Sequence, residues 1–179
     1  MKFVLPCLIA AALWGNAQAA QFTYTGFYHE ETAQWRPTAS ISGYFESHDL
    51  DGDGIHERNE VTEFVINGQR FVGGCGEASL CGLWNFSWVP GGALDFSASY
   101  GMLSSETGEA WADWKIDSGV RVHSIWNTGS GWKSDTLSWR PETTLLMTSV
   151  PEPGAYAMLA VGLAVIGLRR RRKPEQLRG

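Results

Sequence analysis

Positive charge is scarce where a folded domain would lie. The 179-residue chain has 14 basic and 19 acidic residues, but half of the basic ones sit at Lys2, at 169–173 and at 178. Residues 20–150 keep seven basic against seventeen acidic residues, a net charge near −10. Such a domain excludes nucleic acid and anionic membrane surfaces as partners and favours cations. Cysteine is sparse too: Cys7, Cys75 and Cys81. Helical periodicity, internal repeats and low-complexity tracts are missing. So are G-x-S-x-G, H-E-x-x-H, a phosphate-cradling glycine loop and a dinucleotide fingerprint. The four histidines, at 29, 48, 56 and 123, are scattered. No catalytic constellation is legible, and the expectation is a protein that is not an enzyme.

Apolar runs are present only at the two ends. At the start, Lys2 precedes an apolar stretch over 3–14, and Ala17-Gln18-Ala19 fits an A-x-A cleavage site. Together they describe a secretory signal peptide over 1–19, with the mature chain starting at Ala20. Cys7 falls inside it as apolar filler. At the other end, Val150-Pro151-Glu152-Pro153 is followed by an uncharged apolar run over 154–168 and by Arg169-Arg170-Arg171-Arg172-Lys173. Fifteen helical residues rise roughly 22 Å, short of the roughly 30 Å hydrocarbon core, so spanning requires snorkelling arginines or local thinning. The basic cluster holds the C-terminus, a tail over 174–179, on the cytoplasmic side while everything upstream is outside.

This three-part order resembles the PEP-CTERM sorting signal of exported proteins in Gram-negative bacteria. The resemblance covers only 150–173, within a sorting signal placed over 148–173, and says little about the domain ahead. It implies cleavage near Pro151-Glu152-Pro153 by an exosortase, a membrane transpeptidase, after a membrane-anchored intermediate with one C-terminal helix. Because the family occurs in bacteria that make exopolysaccharide, it also implies a final place at the cell surface or in the extracellular matrix.

Between the addresses, residues 20–147 read as one β domain. Phe22, Tyr24 and Tyr28 alternate with polar residues, as do Ile41, Gly43 and Phe45, then Trp84, Phe86 and Trp88, then Leu94, Phe96, Ala98 and Tyr100. Period two marks half-buried strands. Further strands are expected over 109–116, 120–126, 136–139 and 143–147. Asn67-Gly68 between Phe64-Val65-Ile66 and Arg70-Phe71-Val72 signals a type I′ hairpin, and Val89-Pro90-Gly91-Gly92 a hairpin loop. Eight to ten short strands predict an antiparallel β-sandwich, with a jelly roll or barrel as alternatives. Cys75 and Cys81, six positions apart in a glycine-rich loop and outside the inner membrane, predict a disulfide.

One stretch carries metal chemistry. Residues 49–60, Asp-Leu-Asp-Gly-Asp-Gly-Ile-His-Glu-Arg-Asn-Glu, match the twelve-position D-x-[DN]-x-[DN]-G-x5-E pattern. Alternate carboxylates on a tight loop converge, so Asp49, Asp51, Asp53, the Ile55 carbonyl, Glu57 and a bidentate Glu60 form an oxygen shell suited to calcium. The loop resembles an EF-hand loop, with two departures. Strands rather than helices flank it, and His56 stands at the eighth position, where that family places an aliphatic residue that pairs with a second loop. The expectation is therefore an isolated, structural calcium loop bridging two strands.

Eight tryptophans fall in the domain. Most take the apolar parity of their strands and are expected in the core, whereas Trp35, Trp114 and Trp132 are candidates for stacking on sugar rings. The leading expectation is a non-enzymatic, calcium-stabilised surface protein associated with exopolysaccharide. A carbohydrate-binding module is the alternative, and a glycan hydrolase a lesser one.

Overall fold

The computed structural model describes residues 17–75, 80–103 and 110–150, together with Gly162, Leu163 and Ile166. The chain divides into two compact units, Met1–Ser149 and Val150–Gly179. The first is an antiparallel β domain. Its strands are β1 (Ala17–His29), β2 (Gln34–His48), β3 (His56–Glu57), β4 (Val61–Ile66), β5 (Gln69–Arg70) and β6 (Leu80–Trp88). They continue as β7 (Leu94–Leu103), β8 (Ala110–Asp117), β9 (Arg121–Asn127), β10 (Trp132–Ser138) and β11 (Thr144–Val150). The expected hairpins form: β4 turns into β5 at Asn67-Gly68, both with positive φ (48° and 84°), as a type I′ turn requires.

All eleven strands belong to one sheet, in the order β3-β6-β7-β8-β9-β10-β1-β2-β4-β5, with β11 pairing on β1. The sandwich-like packing comes from the curl of this sheet into half a barrel, which brings its two ends face to face. Rings from β1, β2 and β4 meet rings from β6 and β7 there. Phe64 lies 5.1 Å from Phe96 and 5.7 Å from Phe86; Phe45 is 5.0 Å from Phe86 and 4.9 Å from Trp88; Phe22 is 5.5 Å from Phe96. Most of these contacts are edge-on or tilted, the arrangements that the ring quadrupole favours. Phe22, Phe27, Phe45, Phe64 and Phe96 are completely buried.

Two bulges change which face the side chains take. In β1 the register shifts between Thr25 and Phe27, around Gly26 with φ 83°. The inward residues are therefore Phe22 and Tyr24 before the bulge but Phe27 and His29 after it. Strict alternation places Tyr28 inside; the extra residue turns it away and buries His29 instead. In β6 a shift between Leu83 and Asn85 does the same to Trp84, which is 62 % exposed although parity assigns it to the core.

The expected signal peptide lies outside the described residues except at its end. β1 begins at Ala17, and residues 17–19 pair with His48, Ser47 and Glu46. The apolar run over 154–168 also lies outside them, apart from the helical Gly162, Leu163 and Ile166. No helix among the described residues is long and apolar enough to cross a membrane.

Candidate functional site

The acidic loop leaves the end of β2 and runs into β3. Its aspartates fold inward because each accepts N–H donors from the loop's own backbone. Gly52 and Gly54 donate to the two oxygens of Asp49 at 2.7 and 3.1 Å, Asp53 donates to Asp51 at 3.2 Å, and Ile55 donates to Asp53 at 2.7 Å. This winding gathers Asp49, Asp51 and Asp53, whose ligand oxygens lie within 4.8 Å of one another. Among the described residues no Lys, Arg or His forms an ion pair with any of the three. Three like charges in one small volume raise their mutual energy unless a cation balances them.

Glu60 closes the loop from beneath. It is only 4 % exposed, and its two oxygens accept N–H bonds from Leu50 at 2.6 Å and from Glu57 at 2.9 Å. The bonds from Glu57 and then Leu50 hold its carboxyl below the ordinary glutamate range, because they stabilise the charged form. The three aspartates form the compact carboxylate cluster, while Glu57 lies in β3 and Ile55 just before it.

His56 explains the departure from the EF-hand pattern. It pairs with Trp88 of β6 in the ladder, its ring lies 5.1 Å from the Trp88 ring, and its Nδ1 is 2.9 Å from the Ser47 hydroxyl of β2. It is buried. Where an EF-hand loop pairs with a second loop, this one pairs with a strand from the opposite end of the sheet. Arg58 adds a bond from its guanidinium Nε to the Leu83 carbonyl of β6. The loop thus joins β2 to β6 as a clasp across the curl.

The disulfide is present, with Cys75 and Cys81 bonded at a Cα separation of 5.7 Å. The three tryptophans singled out as sugar contacts are not brought together. Trp132 is 57 % exposed, and its register places it on the sheet face opposite Trp114. Trp35 lies beneath the Gly26 bulge, where a Cβ on Gly26 would come within 2.7 Å of its ring. Trp114 is half-buried 5.7 Å from Phe71 and lines a cleft of about 260 Å³ with Ile66, Asn67, Gln69, Phe71 and Tyr100.

A second cluster, His29 with Glu31 and Asp135, has no signature in the sequence. Its members are up to 106 positions apart, and strict alternation points His29 outward. Only the Gly26 bulge turns it in, and the lone glycine inside an alternating run is the one local signal that could have announced it.

The molecule is thus an acidic, disulfide-closed antiparallel β domain followed directly by a short C-terminal segment of different character. That segment is a PEP-CTERM protein-sorting motif, matched over residues 149–173. The motif implies export, a membrane-anchored sorting intermediate and processing by exosortase. Its Val150 is the last residue of β11, while Pro151, Glu152, Pro153 and the arginines Arg169, Arg170, Arg171 and Arg172 lie outside the described residues. Neither a curated protein nor a solved structure matches the chain.

Proposed function

We propose that the β domain is a non-enzymatic structural protein of the cell surface or extracellular matrix, associated with exopolysaccharide and stabilised by calcium. One observation carries this reading. β11 ends at Val150, the residue before Pro151-Glu152-Pro153, so a cut at the motif releases the sheet with every strand intact. A domain whose last strand ends just before Pro151-Glu152-Pro153 is suited to delivery as a complete unit. In an exosortase-containing host, a C-terminal epitope tag is separated from the β domain. Replacing Pro151, Glu152 and Pro153 with alanine keeps tag and domain on one band in an immunoblot. Separation that persists in the variant would contradict the proposal.

Calcium fits the loop's chemistry. Asp49, Asp51 and Asp53 offer hard oxygens, with the Ile55 carbonyl, Glu57 and Glu60 completing the expected shell, and the net negative domain favours a divalent cation. The ion would neutralise the aspartates and so tighten the clasp between β2 and β6. Calcium at about ten times its Kd adds about 1.4 kcal/mol to the folded state. Differential scanning calorimetry of the chain should show a melting point several degrees higher in millimolar calcium than in chelator, with no difference in Asp51→Asn. Equal melting points for the parent chain contradict the reading.

A second reading, a carbohydrate-binding module, is favoured by the cleft. Phe71, Tyr100 and Trp114 give it aromatic walls, and Asn67 and Gln69 supply amides at its rim, the pairing of apolar faces with hydrogen-bonding groups that suits a sugar ring. Titration with the host's exopolysaccharide should quench tryptophan fluorescence saturably, and Trp114→Ala should abolish the saturable phase. Saturable quenching that survives in Trp114→Ala, or none in the parent chain, removes this reading.

A further inference from the structure

We propose that His29, Glu31 and Asp135 form a second cation site, one that takes a borderline transition-metal ion, Zn²⁺, rather than calcium. The three side chains come from different places: His29 from the end of β1, Glu31 from the turn into β2, and Asp135 from β10. The backbone fixes all three. His29 pairs with Leu137 in the ladder, the Glu30 N–H donates to the Thr136 carbonyl at 3.0 Å, and the Thr136 N–H donates to Glu31 Oε2 at 2.9 Å. Both carboxylates face the same imidazole nitrogen. Nε2 lies 2.5 Å from Asp135 Oδ1 and 3.5 Å from Glu31 Oε2, and the ligand atoms all fall within 4.8 Å of one another.

The charge is unbalanced. Glu31 and Asp135 converge beside a histidine that is only 7 % exposed, and among the described residues neither forms an ion pair with Lys or Arg. The guanidinium of Arg36 lies on the other side of the ring, 3.1 Å from Nδ1. One imidazole nitrogen with two carboxylates is a mixed N/O donor set. It suits zinc, and three protein ligands with an open position are the usual complement of a non-structural zinc site. Calcium takes oxygen only and is better served by the aspartate loop.

The far side of the ring supplies the control. Thr32 Oγ1 lies 2.6 Å from Nδ1. With Arg36 donating to Nδ1, that nitrogen is an acceptor and Nε2 carries the hydrogen, directed at Asp135. Zinc at Nε2 requires the other tautomer, with Nδ1–H donating to the Thr32 hydroxyl, which would take the orienting role that a carboxylate, carbonyl or water usually plays for a metal-bound imidazole. Arg36 is exposed and long enough to swing away. It therefore competes with the metal through the tautomer, and removing it strengthens binding.

The test is isothermal titration of zinc chloride into the full-length chain in detergent micelles, with calcium in excess to fill the aspartate loop. The account predicts one zinc per chain, weakened by more than roughly tenfold in Glu31→Gln and in Asp135→Asn, since even outer-shell losses cost about that much. Glu31 is exposed, so its variant folds even where a buried change would not. Asp51→Asn should bind zinc as the parent does, which separates this site from the calcium loop, and Arg36→Gln should bind more tightly. A parent chain that takes up no zinc, or Glu31→Gln and Asp135→Asn variants with unchanged affinity, overturns the proposal; weaker binding in Arg36→Gln overturns the tautomer argument.

Discussion

A single sheet excludes water from one of its faces only by covering it, and this sheet, which has no long helix to lay across it among the described residues, covers itself. The chain meets that constraint by curling until the β1-β2-β4 end and the β6-β7 end face each other across a shared layer of rings. Phe64 stands near the middle of that layer, in contact with Phe22, Phe71, Phe86 and Phe96. Burying such rings contributes roughly 1.5–3 kcal/mol each. That energy is available only while both ends stay in register. The sheet's own ladder runs the long way round, through β8, β9 and β10. The acidic loop provides the short way, because His56 and Arg58 carry it onto β6 while Ser47 holds it to the end of β2 and Glu60 closes it on Leu50. A loop that looks in isolation like a metal site is, in the fold, the clasp of the curl, and a bound cation would act on that clasp.

Local patterns in the sequence carried most of the secondary structure, and the reason is physical. Alternation reports a half-buried strand directly, and Asn67-Gly68 tolerates the positive φ of its turn, so strands and hairpins were legible. The winding of the aspartates over residues 49–55 was legible for the same reason, since their hydrogen bonds to the loop backbone span five residues or fewer. What escaped depends on a single added residue or on distant pairing. The bulge near Gly26 buries His29, and the bulge at Trp84 exposes an indole that parity assigns to the core. The partner of His56 is Trp88, thirty-two positions away on a strand from the other end of the sheet. The meeting of His29 with Asp135 needs β1 and β10 to be neighbours, which no spacing encodes.

The two units divide the work. The sorting motif supplies the route, and the acidic β domain is what arrives. Calcium and zinc would act on it at separate places, one at the clasp and the other where β1 meets β10. Each place gathers carboxylates that lack a Lys or Arg partner among the described residues, so cations from the surroundings have a physical reason to bind.

The central claim is that the clasp and the aromatic layer are one cooperative unit. Native-state hydrogen exchange measures this most directly, because residues that open together share one opening free energy. The account predicts that the protected amides of β3 exchange with the same free energy and denaturant dependence as those of β2, β4 and β7 around Phe45, Phe64 and Phe96. Exchange of β3 through a separate, low-energy opening, with the ring-bearing strands still fully protected, would contradict it.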